Sequence, residues 1–136
     1  MTVPVRYSIE SDLQAEEFRA VLVTSGLGAR RPLDDLPRLA RMLAQADLVV
    51  TARVDGRLVG VARAITDFAY CCYLSDLAVD RELQRQGVGR RLIAETRTAA
   101  GPETTLVLVA ALGADSAYRR IGLEPFPGCW GIRRTF

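Results

Sequence analysis

The chain has 136 residues, 49% of them apolar and 25% charged, a size and balance that predict a single soluble domain over residues 1–136 with a core of its own. The formal net charge of +2 is too small to argue for a nucleic-acid partner, and all 18 basic residues are arginine, with no lysine, histidine or asparagine in the chain. That composition excludes a Ser-His-Asp triad, a Cys-His pair, a His-ligated metal, a Walker phosphate loop and a Schiff-base lysine.

"VRYSI" (5–9) alternates as a short first strand. Ser11 with Gln14 has the spacing of a capping box, opening a helix with Leu13, Phe18, Val21 and Leu22 on one face and a stop near Gly26. "GLGARRP" (26–32) reads as a loop, after which Asp34 or Asp35 caps a second helix carrying Leu36, Leu39, Ala40 and Leu43 at helical spacing. The period then changes: "LVVTARV" (48–54), an Asp-Gly turn and "RLVGVARAI" (57–65) form a hairpin. After the turn "TDFA" (66–69), "YCCYLSDLAV" (70–79) predicts a central strand buried on both faces.

From Gly87 to about Ala100 the pattern is helical, with Val88, Leu92, Glu95 or Thr96, and Ala99 on one stripe, and Gly101-Pro102 as its stop. "TTLVLVAAL" (104–112) is the strongest strand signal in the chain. A short helix from Asp115 to Ile121 ends at Gly122, and "CWGIRRTF" (129–136) predicts a last strand. The expected order is β-α-α-β-β-β-α-β-α-β, one mixed sheet flanked by helices, a mixed α/β (α+β) class without repeats or linkers.

No apolar run approaches the roughly 18–20 residues of a membrane span. The opening "MTVPVRYSIESD" lacks the basic start and apolar stretch of a signal peptide, so a cytoplasmic protein with no membrane partner is expected. Cys71, Cys72 and Cys129 have no metal-binding spacing, so no metal is expected, and no histidine stands by to activate a thiol.

"QRQGVGRRLI" (84–93) carries the functional signal. In a dinucleotide fingerprint the third glycine would fall at Leu92, and a Walker loop needs lysine. A turn that aims free backbone N–H groups and a helix N-terminus at a pyrophosphate remains, beside the plainer reading of glycines that tighten a strand-to-helix turn.

The context distinguishes them. "DLAVD" precedes Gln84-x-x-Gly87-x-Gly89, and "ADSAYRRIGL" (114–123) follows the next strand. Together with the "DGRLVGVAR" hairpin and the element order, this resembles the GNAT acetyltransferase superfamily over nearly the whole chain. That family has a [Gln/Arg]-x-x-Gly-x-[Gly/Ala] loop after its fourth strand and an A-x-x-x-Y-x-x-x-G-F segment after its fifth.

The resemblance implies a GNAT-like fold: a mostly antiparallel mixed sheet splayed between strands four and five, with acetyl-CoA wedged there as co-substrate. Leu77, Ala78 and Val79 would pair with the pantetheine arm, and an N–H in this group would polarise the thioester carbonyl. The pyrophosphate would rest on the loop Gln84, Arg85, Gln86, Gly87, Val88, Gly89 and Arg90, mainly through main-chain N–H groups. Arg85, Arg90 or Arg91 would reach the ribose 3′-phosphate. Tyr118 matches the family tyrosine that protonates the departing thiolate.

Tyr73 stands where some relatives carry a glutamate base. Asp76 is the nearby candidate carboxylate; strand parity points it to the face opposite Tyr73, where it would pair with an arginine, cap a backbone group or act through water, with a water relay as the alternative base. Ala111 stands where many relatives have an asparagine, and Leu123 replaces the usual phenylalanine. The family's acceptor site corresponds to residues 25–32, 66–70 and 124–136. There Arg30 and Arg31 suit an anionic acceptor, Asp67 a cationic amine, and Phe68, Tyr70, Tyr73 and Trp130 apolar walls.

The expected function is direct acetyl transfer from acetyl-CoA to a primary amine, more in keeping with a small molecule than with a protein amine. A non-catalytic acyl-CoA sensor is the alternative, and "CWGI" suits a homodimer edge.

Overall fold

The computed structural model describes residues 4–111 and 113–136. The elements run β1 (Arg6–Ile9), α1 (Ala15–Ser25), α2 (Leu36–Ala44), β2 (Leu48–Val54), β3 (Arg57–Thr66), β4 (Cys71–Val79), α3 (Val88–Ala100), β5 (Thr105–Val107) and α4 (Asp115–Arg120), with 3₁₀ turns at Leu27–Arg30 and Arg81–Leu83. They build one five-stranded sheet in the order β1-β2-β3-β4-β5. The first four strands pair antiparallel, and β4 pairs parallel with β5, which is the expected mixed sheet.

Local chemistry explains the junctions. Asp55 and Gly56 both have positive φ, 50° and 81°, the backbone of a two-residue hairpin turn whose twist suits β2 and β3. Asp35 caps α2 by accepting from the Arg38 N–H at 3.0 Å. The Ser11–Gln14 capping box does not form: α1 begins at Ala15, Gln14 is itself the cap residue without a side-chain bond, and its amide turns back to the Asp12 carbonyl instead.

The sheet separates two apolar layers. Under α1 and α2, Phe18, Leu22, Leu39 and Leu43 pack on Val49, Val61 and Ala78. Under α3, Val88, Leu92 and Ala100 pack with Val50, Ala52, Ala62 and Leu74. Fully buried side chains such as Phe18 and Leu22 contribute about 1.5–3 kcal/mol each. Of the alternatives Glu95 and Thr96, the structure buries Thr96, and Ala100 completes the stripe of α3 in place of the expected Ala99, which is half-buried. Gly60 allows α3 to lie close: a Cβ there would stand 3.1 Å from Leu92 Cδ1 and 3.3 Å from Ala52 Cβ.

β4 differs from its expected form in two ways. It is buried on one face at a time, alternating along the strand, and its far neighbour β5 is the sheet edge. It also carries a bulge: Arg63 faces Asp76 and the next β3 residue, Ala64, faces Leu74, leaving Ser75 as the extra residue. Cys72 and Leu74 therefore pack on the α3 side, while past Ser75 the α3 side receives Leu77 and Val79, and Ala78 packs toward α1 and α2.

β5 is shorter than its sequence signal. The ladder covers Thr105 to Val107 only, opposite Cys71 to Tyr73, and residues 108–111 leave the strand; Leu112 lies outside the described residues. The last strand does not form. Residues 129–136 are irregular, and Trp130 and Ile132 are 92% and 101% exposed. An alternating segment becomes a strand only where a ladder edge receives it, and β5 stops pairing too early to provide one.

Candidate active site

Beyond Tyr73 and Val107, β4 and the chain after β5 part, and a cleft of about 610 Å³ opens between them. Leu77, Ala78 and Val79 form one wall, and Leu108, Val109 and Ala111 the other. The glycine loop closes one end through Gln84, Arg85, Gly87, Gly89 and Arg90. Tyr118 on α4 and Arg30 and Arg31 after α1 complete the lining.

The loop is built from the strand outward. Asp80 ends β4, accepts from the Glu82 N–H at 3.0 Å and pairs with Arg57 at 3.1 Å, which starts the 3₁₀ turn. Gln84 turns its amide inward and donates to the carbonyls of Val79 at 2.8 Å and Ser25 at 3.3 Å. Its side chain thereby ties the loop to β4 and to the end of α1. Arg85 and Gly87 then adopt left-handed backbones, φ 65° and 89°.

α3 begins at Val88 without a side-chain cap, and its first intrahelical bond runs from the Arg91 N–H to the Gly87 carbonyl at 3.0 Å. The backbone N–H groups from Arg85 to Arg90 donate to no acceptor among the described residues. A run of free donors at the positive end of a helix, flanked by arginines, is an anion cradle. Val88 contributes through its backbone, since its side chain is buried against Leu92 and Gly60; the Gln86 side chain turns away to the Glu82 carbonyl.

Tyr118 is half-buried on α4. The helix ends in a paired reverse turn: the Leu123 N–H donates to the Tyr118 carbonyl at 3.0 Å and the Gly122 N–H to that of Arg119 at 3.1 Å, with Gly122 at φ 100°. This gives the Tyr-x-x-x-Gly-Leu spacing its physical cause. Burial pushes the Tyr118 phenol above its ordinary value, against the opposing charge of Arg30. The phenol is therefore protonated at neutral pH, as a proton donor must be.

Asp76 does not line the cleft. It is fully buried, with Arg31 Nε donating to Oδ1 at 2.5 Å and Arg63 Nε donating to Oδ2. The same arginines reach the Ser75 carbonyl at 2.8 Å and the Ser75 hydroxyl at 3.0 Å. The bulge corrects the parity expectation: Tyr73 and Asp76 point to the same side, toward α1 and α2, because Ser75 absorbs one step of alternation.

Of the expected acceptor residues, the structure brings Arg30 and Arg31 to the cleft; Asp67, Phe68, Tyr70, Tyr73 and Trp130 do not line it. Asp67 shapes its turn instead. Its Oδ1 accepts from the N–H groups of Ala69, Cys71 and Tyr70, which lower its carboxyl to about 2. Phe68, Tyr70, Tyr73 and Trp130 are all exposed.

Ser25, Gly26 and Leu27, from the expected acceptor segment 25–32, also line the cleft, as do Leu108, Val109 and Arg120, which the sequence did not single out. The charged lining residues are Arg30, Arg31, Arg85, Arg90 and Arg120, with no carboxylate among the described residues. Neither exposed cysteine, Cys71 or Cys129, lines it, and burial raises the thiol of Cys72.

A family model described as an acetyltransferase (GNAT) domain matches residues 32–126. No curated protein matches the chain. Among solved structures, it is similar to a GNAT-family acetyltransferase from Streptococcus pneumoniae TIGR4, at 20% identity over 98% of each chain and a TM-score of 0.79. An aminoglycoside N-acetyltransferase in complex with CoA is similar at 18% identity, covering 100% of this chain and 98% of that one, with a TM-score of 0.75. An aminoglycoside acetyltransferase from an uncultured soil metagenomic sample, in complex with sisomicin, is similar at 21% identity over 97% and 96% of the two chains, with a TM-score of 0.72. At these identities the likeness is one of fold.

Proposed function

The chain belongs to the GNAT acetyltransferase family, and from that premise we propose that it moves an acetyl group from acetyl-CoA directly to a primary amine of a small acceptor. One observation carries the reading: Arg85, Gly87, Gly89 and Arg90, from the loop whose N–H groups are free, line the same cleft as Tyr118, between strands that have parted. The relative solved with CoA shares this fold, which supports CoA as the donor's carrier.

The residues present fit the donor. The loop N–H groups would hold the pyrophosphate, with Arg85 and Arg90 adding charge, and Gly87 supplies the backbone turn that aims them. The open edge of β4 at Leu77, Ala78 and Val79 would pair with the pantetheine amides, and a β4 N–H would stabilise the oxyanion on the attacked carbonyl.

The amine nitrogen, having lost a proton, bonds to the thioester carbonyl carbon. The C–S bond then breaks, the thiolate takes the Tyr118 proton, and the proton shed by the new amide nitrogen restores the phenol through water. With no carboxylate among the described residues lining the cleft, water is the proton acceptor at the amine, and Asp76 holds Arg31 in place. The same reading takes residues 1–136 as one domain acting in the cytoplasm, with the exposed C-terminal segment in a homodimer to be checked by solution mass.

The test is thiol release from acetyl-CoA across an amine panel, run beside a thermal-shift titration with CoA. Saturating CoA is expected to raise the melting temperature by several degrees through ligand linkage. A melting temperature unmoved by CoA and by acetyl-CoA would overturn the donor assignment.

A further inference from the structure

We propose that the acceptor is an amine that carries its own carboxylate, of the amino-acid class, and that Arg30 reads that carboxylate. The proposal rests on the acetyl-transfer reading above and names the substrate class of the same cleft.

The charge of the lining is one-sided. Five arginines line the cleft, and no aspartate or glutamate does so among the described residues. Arg85 and Arg90 stand on the glycine loop, where the donor's phosphates would engage them. Arg30 lies elsewhere, at the end of the 3₁₀ turn after α1, near enough to Tyr118 for its charge to act on the phenol. It forms no ion pair among the described residues.

The ground behind Arg30 is also positive. Asp76 is shared by Arg31 and Arg63, so the three side chains together keep one net positive charge, with exposures of only 0% for Asp76, 17% for Arg31 and 9% for Arg63. The Arg31 Nη1 donates to the Arg30 carbonyl at 2.9 Å, so this cluster also fixes the backbone that presents Arg30. An aminoglycoside or polyamine would bring more positive charge to a wall that no carboxylate among the described residues lines. A carboxylate would be the missing counter-ion.

The same field eases the chemistry. Positive neighbours favour the neutral form of an amine, so an ammonium brought beside these arginines gives its proton to water more readily. An acceptor whose carboxylate is bound by Arg30 enters the cleft on that attraction, and its amine then meets surroundings that promote deprotonation without a protein base.

The experiment is thiol release by the full chain, with acetyl-CoA and pairs of acceptors: amino acids against their carboxamides, with kanamycin and spermidine as polycations. The expected result is a kcat/KM at least tenfold higher for the carboxylate member of each productive pair. The carboxamide's amine is the less basic of the two, so basicity alone would give the opposite order. Arg30→Gln is expected to raise KM for the amino acid about tenfold or more, and to leave the CoA thermal shift unchanged.

If kanamycin, spermidine or the carboxamides turn over as well as the amino acids, or if Arg30→Gln affects both members of a pair equally, the proposal is overturned while the acetyl-transfer reading stands. Turnover of no amino acid also overturns it. Absence of any CoA thermal shift instead removes the donor reading and the proposal with it. Should Arg30→Gln fail to fold, Arg30→Lys, which keeps the charge and loses the two-pronged donor, is expected to give the same KM change in weaker form.

Discussion

Asp76 Oδ1 accepts from Arg31 Nε at 2.5 Å, joining the middle of β4 to the turn after α1 across 45 residues of sequence. Arg63 holds the other carboxylate oxygen. Asp76→Asn leaves two largely buried guanidiniums around a neutral amide, and breaking a buried pair in this way costs about 3–5 kcal/mol. The expected outcome is a lower urea midpoint with an unchanged slope, accompanied by a higher acceptor KM as the Arg30–Arg31 turn loosens. An unmoved midpoint would mean that the ion pairs contribute nothing net to the fold.

The two glycines of the loop are expected to behave differently. Gly87 has φ 89°, and a Cβ added there would meet nothing within 4 Å, so its need for glycine is conformational. Gly87→Ala forces an L-residue into the left-handed region, at about 1–2 kcal/mol, and disturbs the N–H groups beside it. At Gly89 a Cβ would meet Val79 Cγ2 at 3.7 Å and Leu77 Cδ2 at 4.0 Å, which is ordinary contact. Gly89→Ala is therefore expected to fold at least as well as the parent, by up to about 1 kcal/mol of helix propensity, yet to bind CoA more weakly because it fills the cleft wall. Thermal melts and CoA titration of both variants separate the two effects.

What was legible in the sequence was local. Asp55-Gly56 declares its hairpin, Asp35 its helix cap and Gly122 its helix stop, because each is decided within a few residues. The glycine turn that opens α3 was legible for the same reason. The bulge at Ser75 was not: nothing in "YLSDL" marks an extra residue, and only pairing with Arg63 and Ala64 reveals it. Parity carried from Tyr73 to Asp76 failed there. β5 and the C-terminal segment failed in a related way, since "LVLVAAL" and "CWGIRRTF" have strand composition and the ladder that would receive them ends at Val107. The cleft lining was half legible: Arg30 and Arg31 could be read from the loop after α1, while the chain past β5 became a wall only by leaving the sheet.

Arg53 on β2 binds two carboxylates, Glu10 at 2.7 Å and Glu17 of α1 at 2.7 Å. Arg53 hydrogen bonding lowers both carboxyls below their ordinary values. A depressed carboxyl contributes stability that is fully present above its unfolded value, near 4.5, and is lost as pH falls through the folded value. All three groups are partly exposed, so solvent screening limits the effect to about 1 kcal/mol or less. Glu10→Gln is expected to lower the urea midpoint at pH 7, with the gap from the parent narrowing by pH 3. A gap that stays constant between those pH values would assign the loss to packing or to the Thr51 hydrogen bond.

Tyr118 gives the sharpest kinetic expectation. Its phenol is raised by burial above 10, so the acid form is present throughout the neutral and mildly alkaline range. Tyr118→Phe removes only the hydroxyl from a half-buried ring, and the loss of a general acid corresponds to about 10²–10⁴ in kcat. Because the hydroxyl acts on the departing sulfur, the CoA thermal shift should persist while turnover falls. The parent's kcat should show no loss assignable to this phenol across the neutral and mildly alkaline range, and any limb at more alkaline pH should vanish in the variant. Undiminished turnover by Tyr118→Phe would move the proton donor to water and leave Tyr118 as packing for α4.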